Sequence, residues 1–176
     1  DCTVETLAGE LEAKIIKKDV KLNMGKPKEF HDKFKIKTKD KVFDSYFVNT
    51  GVPHVVIFVD DVKSIDVKKY GALVRYHEMF KPNGTNCNFV EITGSKTINV
   101  RTYERGVEDE TFSCGTGTCA AAICSVLYKG LKWPIRSKTP LNEILSVDSK
   151  MTSAKPDNFF YLQGEVKFTF SGIYEK

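Results

Sequence analysis

The sequence predicts an α+β fold in which a mixed β-barrel wraps around a central buried helix. Most of the 176 residues fall into short runs of alternating or β-branched side chains, separated by Gly, Pro and Asn, which is typical of strands and turns. One longer run, residues 116–128, is apolar on nearly every face. A helix of that composition has no face for solvent and is therefore buried. Several short strands and one such helix indicate a sheet curled around it.

The strands are predicted in chain order from their periodicity and from the turns between them. Residues 11–16 alternate apolar and polar side chains, and residues 20–22 are the partner of this strand. A Met-Gly-Lys-Pro turn follows at 24–27, and Gly94-Ser95 and Gly164-Glu165 are predicted to turn two later pairs. The further strands are predicted at 43–48, 54–59, 88–92, 97–102, 143–147, 159–163 and 166–170.

Two helices are predicted between these strands. Residues 66–79 have helical spacing, with Tyr70, Val74 and His77 on one face, and Pro-Asn-Gly at 82–84 breaks the pattern. The buried helix at 116–128 is expected to end at Lys129-Gly130, a cation followed by a glycine that can adopt positive φ.

Composition excludes several classes of function. The apolar content of 41% is enough for a core, and the net charge of +4 comes from scattered lysines without a basic run, so we expect no nucleic-acid partner. A signal peptide and an apolar stretch of bilayer length are both absent, so we predict no membrane partner and a cytoplasmic location. The five cysteines fit no zinc-ligand spacing, so we predict no metal site and reduced thiols.

Cys114 is the candidate nucleophile or base. It lies in a Gly/Thr-rich turn directly before the buried helix, where unpaired backbone N–H groups favour an anion, so we expect a lowered thiol pKa. The amides of Gly115 and Thr116 are candidates for holding a carboxylate, although Thr116 could simply cap the helix. Cys119 and Cys124 fall inside the helix and are interpreted as buried apolar side chains.

The stretch around Cys114, at residues 104–117, reads Glu-Arg-Gly-Val-Glu-Asp-Glu-Thr-Phe-Ser-Cys-Gly-Thr-Gly. It resembles the second cysteine motif of the diaminopimelate epimerase family. Weaker matches follow in the family's order, at residues 6–9, at the 24–27 turn, at the loop ending in Pro53-His54, and at the strand that begins with Asn86. The resemblance extends over about residues 3–172.

The resemblance implies a cofactor-independent epimerase that interconverts LL- and meso-diaminopimelate, a small-molecule substrate, in lysine and peptidoglycan precursor synthesis. Cys114 would be one of two cysteines that exchange the α-proton. Glu104 and Arg105 would bind the distal ammonium and carboxylate, although adjacent strand residues can equally form a surface pair. Asn86 would donate a hydrogen bond to the substrate, or else form an Asx turn.

The sequence departs from the family pattern at two places. Val52 stands where the family has the Asn before Pro-His, and His54 is interpreted as a core imidazole rather than a tuning group. The run at 108–110 is one residue longer than the family's spacing, which predicts a bulge between the Glu-Arg pair and Cys114.

The family has two lobes, each a barrel around a helix. The resemblance implies that residues 23–164 form the second lobe and that residues 1–22 and 165–176 are strands of the first lobe, most of which is missing. The first lobe's cysteine motif is absent from these 176 residues, so we expect the chain alone to be inactive. A homodimer is left open.

Three alternatives remain at this point. A proline racemase-like enzyme would share the two-cysteine design but lack a Glu-Arg pair. A lobe that binds an amino acid without catalysis would explain the missing second cysteine. A Cys-His hydrolase would use Cys114 with His54.

Overall fold

The computed structural model describes residues 1–6, 9–152 and 157–173 and contains twelve strands in one mixed sheet. The helices are α1 (Val67–Arg75) and α2 (Gly115–Lys129), and a 3₁₀ turn covers Glu78–Phe80. The strands are β1 (Cys2–Thr6), β2 (Gly9–Ile16), β3 (Asp19–Asn23), β4 (Phe30–Lys37), β5 (Val42–Asn49), β6 (Pro53–Phe58), β7 (Asn86–Gly94), β8 (Thr97–Glu104), β9 (Asp109–Thr111), β10 (Ile135–Lys138), β11 (Ile144–Ser149) and β12 (Phe160–Glu165).

The sheet runs in the order β1-β2-β3-β12-β11-β10-β8-β7-β6-β5-β4, and β9 pairs with β8. The pairs β6/β7 and β8/β10 are parallel, whereas the other pairs are antiparallel. The irregular segment 24–29 closes the sheet around α2. At one end Met24 N donates to Phe160 O at 3.0 Å, and at the other end Lys28 N donates to Asn49 O at 2.9 Å.

The central strands β5 to β8 are covered on both faces. Val56 and Val90 pack with Ala121 and Ile123 of α2, whereas side chains of the opposite parity, such as Ile57, pack against α1. Because both faces are buried, β6 has a continuous apolar run rather than an alternating pattern. The site lies where this two-sided core ends, at the N-terminal end of α2.

Helix α2 confirms the prediction of a buried central helix. Its residues from Gly117 to Ser125 are all buried, and Gly130 ends it at φ 73°, in the left-handed region. Helix α1 is shorter than the predicted 66–79, because Tyr76 leaves the helical conformation and His77 begins the separate 3₁₀ turn. Asp66 is its N-cap rather than its first helical residue.

The last strand prediction was wrong. Gly164 and Glu165 do not turn the chain but continue β12, where they pair with Val20 and Asp19 of β3. Residues 166–173 follow without strand structure, and Phe168 is fully exposed. β4, β9 and β10 were not predicted.

Residues 7–8, part of the match at residues 6–9, and residues 174–176 lie outside the described residues, as do 153–156. No helix in the described part of the chain is long and apolar enough to cross a membrane.

Candidate active site

Cys114 is the N-cap of α2. Its backbone is extended, with φ −130° and ψ 106°, and its carbonyl accepts the first helical bond, from Thr118 N at 2.8 Å. The Sγ atom lies 3.6 Å from Thr116 Oγ1. The side chain is 9% exposed, so the thiol stands at the rim of the core instead of in open solvent.

Burial raises the pKa of the Cys114 thiol, which is the opposite of the predicted direction. Hydrogen bonds from the Thr116 hydroxyl and the Gly117 amide lower it, but they do not outweigh the loss of solvation, and the nearby negative charge of Glu104 raises it further. The sequence shows that Cys114 lies at a helix terminus, but it does not show how deeply the thiol is buried. Burial determines the direction of the pKa shift at Cys114.

In the turn 115–117, position 117 leaves no room for a side chain. A Cβ at Gly117 would overlap Asn88 Oδ1 and would come within 3.2 Å of Cys114 Sγ. Thr50 Oγ1 donates to Thr116 O at 3.0 Å and thereby ties the 49–53 loop to the helix start. The half-buried Gly115 and Thr116 remain accessible from the outer side of the turn.

Glu104 and Arg105 lie where β8 ends and turns into β9. Residues 105–108 form the turn, in which Gly106 and Glu108 have positive φ, and Glu108 N donates to Glu104 O at 2.9 Å. The β8/β9 register from Thr102 to Glu104 is regular. The strands beside this turn are therefore free of a β-bulge, and the loop bulge expected between the Glu-Arg pair and Cys114 stays a prediction.

The side chains of Glu104 and Arg105 contact different neighbours. Glu104 Oε2 accepts from Thr111 Oγ1 at 2.9 Å, and its charge acts on the thiol of Cys114. Arg105 lies beside a cavity of about 720 Å³, and its positive charge lowers the pKa of His54. Glu104 thus acts on the thiol, whereas Arg105 acts on His54 and lines the cavity.

Asn86 connects the two loops of the site through its side-chain amide. Its Oδ1 accepts from Arg105 N at 2.8 Å, and its Nδ2 donates to Pro53 O at 2.9 Å. With 3% exposure, Asn86 supports the backbone on which Arg105 stands.

A buried polar network lies behind the thiol, and the sequence reasoning missed two of its members. Asn88 Nδ2 is 3.2 Å from His54 Nδ1 and donates to Val55 O at 2.9 Å, whereas Asn88 Oδ1 accepts from Thr102 Oγ1 at 3.0 Å. All three side chains share the face of the sheet that packs on α2, because strand side chains alternate and Val56, Val90 and Val100 line that core. The available signal was Asn88, a polar residue between Cys87 and Phe89 at the start of a predicted strand.

His54 is fully buried, as expected for a core imidazole. Burial, with a smaller contribution from Arg105, lowers its pKa from 6.5 to about 3, so the imidazole is neutral at physiological pH. Its Nε2 has no hydrogen-bond partner among the described residues.

The other cysteines are either fully buried or lie on the exposed strand β1. Cys87, Cys119 and Cys124 are fully buried, and burial raises the pKa of each thiol. Cys2 is exposed on β1. Within residues 1–6, 9–152 and 157–173, no cluster of His, Cys, Asp and Glu side chains could hold a metal ion.

The space between Cys114 and the neighbouring strands β8 and β10 is small. A cavity of about 10 Å³, lined by hydroxyl-bearing residues that include Thr102, Thr118 and Ser137, separates the thiol from β8 and β10. That volume suits about one water molecule and not an amino acid. An amino acid therefore does not fit into this cavity.

The family model of diaminopimelate epimerase matches residues 46–168, which include Asn86, the Glu-Arg pair and Cys114. The chain belongs to the diaminopimelate epimerase family. It is 42% identical to the diaminopimelate epimerase of Hydrogenobaculum sp. (strain Y04AAS1) over 178 residues, an alignment that covers 98% of this chain and 62% of that protein. It is 45% identical to the Aquifex aeolicus (strain VF5) enzyme over 148 residues, which cover 82% of this chain and 52% of that one. The chain thus spans between one half and two thirds of the length of these epimerase relatives.

Solved structures agree on the α+β fold. A probable proline racemase from Agrobacterium radiobacter K84 superimposes with a TM-score of 0.71 at 18% identity, covering 99% of this chain and 60% of that one. A hydroxyproline epimerase from Agrobacterium vitis superimposes with a TM-score of 0.72 at 16% identity, covering 93% of this chain and 55% of that one. At this identity the likeness concerns the fold alone.

Proposed function

We propose that this chain carries one half of the active site of a cofactor-independent epimerase that interconverts LL- and meso-diaminopimelate. The observation that supports this best is the position of Cys114, at the N-terminal end of α2 and inside the region that matches the family model. The same proposal includes a small-molecule substrate and a role in lysine and peptidoglycan precursor synthesis. It also includes the absence of a cofactor and a cytoplasmic location.

In the proposed reaction Cys114 exchanges a proton with the α-carbon. Inversion needs an acid on one face of that carbon and a base on the other. Burial raises the pKa of Cys114 and so favours its thiol form, which is the form that acts as the acid in one direction of the reaction. The partner base must then remove the α-proton from the opposite face, and the two groups exchange roles in the reverse direction.

The start of α2 would stabilise the negative charge that develops at the α-carboxylate. N–H groups in the first turn of a helix have no helical partner, so the amides of Gly115 and Thr116 would act there as preorganised donors that stabilise an anionic transition state. The close approach of Gly117 to Asn88 fixes the position of this turn.

Glu104 and Arg105 would recognise the distal end of the substrate. Diaminopimelate carries an ammonium and a carboxylate there, which a carboxylate and a guanidinium complement. Proline has no distal charged groups, so this pair favours diaminopimelate over a proline-like substrate. Asn86 would contribute by holding Arg105 and the 53–54 backbone, with its side-chain hydrogen bonds already made to main-chain atoms.

Residues 23–164 would form the second lobe of the family fold, and residues 1–22 and 165–176 would complete the sheet of another lobe. In support, β1 and β2 are exposed except at the half-buried Leu11 and the buried Ala13, and β2 connects to the core only through β3. The partner cysteine and a homodimer are further proposals.

The test is α-deuterium incorporation in D₂O, measured by mass spectrometry with LL- and meso-diaminopimelate, proline and lysine. The protein as its gene encodes it is compared with residues 1–176 alone. We expect the encoded protein to exchange and invert both diaminopimelate isomers and to leave proline and lysine unchanged. Residues 1–176 alone should show no exchange. Exchange on proline would assign a racemase instead, and no exchange by the encoded protein would leave an amino-acid-binding lobe.

A matched pair of variants tests the catalytic thiol. Cys114→Ala should abolish exchange, whereas Cys119→Ala, one helical turn further along α2 and fully buried, should leave exchange largely intact. Equal losses in the two variants would contradict the role of Cys114.

A further inference from the structure

The turn that carries Arg105 is held together by its own last residue, Glu108. The carboxylate of Glu108 folds back across the turn, because its Oε1 atom accepts from Gly106 N at 3.1 Å. The main chain of this residue is held as well, since Glu108 N donates to Glu104 O at 2.9 Å and Glu108 O accepts from Tyr103 Oη at 2.8 Å. Glu108 begins the run that is one residue longer than the family's spacing, so the family motif does not account for this carboxylate.

Arg75 of helix α1 binds the same carboxylate oxygen. Its Nε and Nη2 atoms donate to Glu108 Oε1 at 3.1 and 2.9 Å. The two side chains are 14% and 33% exposed, whereas those of the neighbouring ion pair Lys68–Asp109 are 71% and 47% exposed. Shielding of this kind strengthens a charge-assisted hydrogen bond relative to a surface ion pair. Burial raises the pKa of Glu108, but hydrogen bonds from the Gly106 amide and from Arg75 outweigh it and hold the pKa below its ordinary value.

The Pro-Asn-Gly turn at 82–84 connects Arg75 to Arg105. Asn83 O accepts from Arg75 Nη1 at 3.3 Å and from Arg105 Nη1 at 3.4 Å, so one carbonyl aligns both guanidinium groups. Gly84 has a positive φ of 67°, and a Cβ there would overlap Arg75 Nη1, so this turn packs directly on the Arg75 side chain. Asn83, Gly84 and Arg105 line the cavity of about 720 Å³, and Arg75 is not part of its lining.

We propose that Arg75 is a positioning residue for substrate recognition: paired with Glu108, it fixes the turn and the guanidinium of Arg105 before the substrate binds. Arg75 acts through Arg105 and not by contact with the substrate, because its donors already face Glu108 and Asn83 O. The hydrogen-bonded arrangement is a property of the fold, whereas its consequence for a distal carboxylate rests on the proposed function.

Preorganisation of Arg105 predicts a specific kinetic effect. A long side chain that is already held in its binding position loses less conformational entropy when the ligand arrives. Arg105 would bind the end of the substrate that does not react, so its contacts stabilise the bound substrate and the transition state equally. Loss of the Arg75–Glu108 ion pair should therefore raise KM and leave kcat nearly unchanged.

The order of the turn is measured without any reaction, by NMR-detected hydrogen exchange of the Gly106 amide in the protein as its gene encodes it. Glu108→Ala removes the acceptor, so this amide should exchange at least about tenfold faster. Arg75→Ala releases the same carboxylate from α1 and should also accelerate the exchange. Lys68→Ala removes an exposed ion pair from the same helix and should not. Exchange in Arg75→Ala at the wild-type rate would overturn the proposal.

The role in recognition is tested by kcat and KM of deuterium exchange on diaminopimelate. Arg75→Ala and Glu108→Ala should each raise KM about tenfold with kcat within about twofold of wild type, and Lys68→Ala should change neither. The double variant Arg75→Ala, Glu108→Ala should raise KM no further than either single variant, because the two residues act as one unit. A multiplied increase in the double variant, or a fall in kcat at unchanged KM, would overturn the positioning role.

Arg75→Lys provides the same test if Arg75→Ala does not fold. Lysine retains the charge but has a single nitrogen, so it cannot bind Glu108 and Asn83 O as a guanidinium does. We expect a raised KM in this variant too, and a wild-type KM would overturn the proposal. An inactive wild-type protein would instead contradict the proposed function, because hydrogen exchange at Gly106 does not depend on activity.

Discussion

At Gly117 the amide of Asn88 and the thiol of Cys114 both approach the backbone of α2. Its neighbours in the first turn differ in this respect, since a Cβ at Gly115 would reach only Leu162 Cδ2, at 3.0 Å. A glycine is required at position 117 because a side chain would not fit there. Its backbone conformation alone would allow any residue.

Gly117→Ala should therefore damage both the buried network and the thiol site. The new methyl group must displace Asn88, and overpacking of this kind costs about 1–3 kcal/mol. Urea unfolding should show that loss, and deuterium exchange should fall with it. Gly172→Ala is the control, because a Cβ there meets nothing within 4 Å. An unchanged unfolding midpoint in Gly117→Ala would mean that the turn can relax.

The site residues differ in how far the sequence could reveal them. Cys114, Glu104 and Arg105 lie within one contiguous segment, and the resemblance of that segment to the family's cysteine motif is what singled them out. Thr102 and Asn88 function through partners on other strands, and no local pattern identifies such partners. The direction of the Cys114 pKa depends on burial, which is a property of the whole fold.

Among the helices and strands, the periodicity of apolar residues identified those that bury a complete face. α2 was predicted within a residue at each end, because it is apolar all round and ends at Gly130. β4 alternates only weakly and contains a register shift between His31 and Phe34, so its sequence has no clean period. The strand predicted at residues 166–170 was wrong, because an alternating sequence forms a strand only where a neighbouring strand can pair with it.

Helix α1 offers a test of local stabilisation. Asp66 Oδ1 accepts from Lys69 N at 3.0 Å and satisfies one of the first free N–H groups of the helix. Asp66→Ala should lower the free energy of unfolding by about 1 kcal/mol. Asp60→Ala removes an exposed carboxylate outside the helix and should have little effect in the same denaturation series. Equal effects would show that charge, and not capping, is responsible.

At the scale of the whole molecule, the segment after β12 carries the most exposed apolar side chains. Phe168, Phe170 and Ile173 are 104%, 87% and 95% exposed. Apolar surface of this kind promotes self-association. The double variant Phe168→Ser, Phe170→Ser should reduce concentration-dependent light scattering of residues 1–176 without lowering the melting temperature. A lower melting temperature would mean that these rings pack against the fold in solution.

The stability of the molecule should depend on the protonation of His54. Its folded pKa, about 3, lies below the ordinary 6.5, so below pH 6.5 the unfolded chain binds a proton that the native chain does not. Stability from this group is present above pH 6.5 and is lost as the pH falls toward 3, by up to roughly 4 kcal/mol. Chemical denaturation from pH 7 to 5, above the range in which carboxylates titrate, should show this slope in the wild type and a flatter curve in His54→Gln. Parallel curves would contradict the assignment.

The pairing of β3 with β12 determines when the molecule can be completed during synthesis. Asp19 and Gln163 are joined although they are 144 positions apart, and β3 reaches the remainder of the sheet only through β12. Contacts of such sequence separation form late and slowly. On the ribosome the first three strands must therefore wait, with the edge of β3 unpaired, until residues 160–165 have emerged, and this interval is when a chaperone would be most useful to the nascent chain.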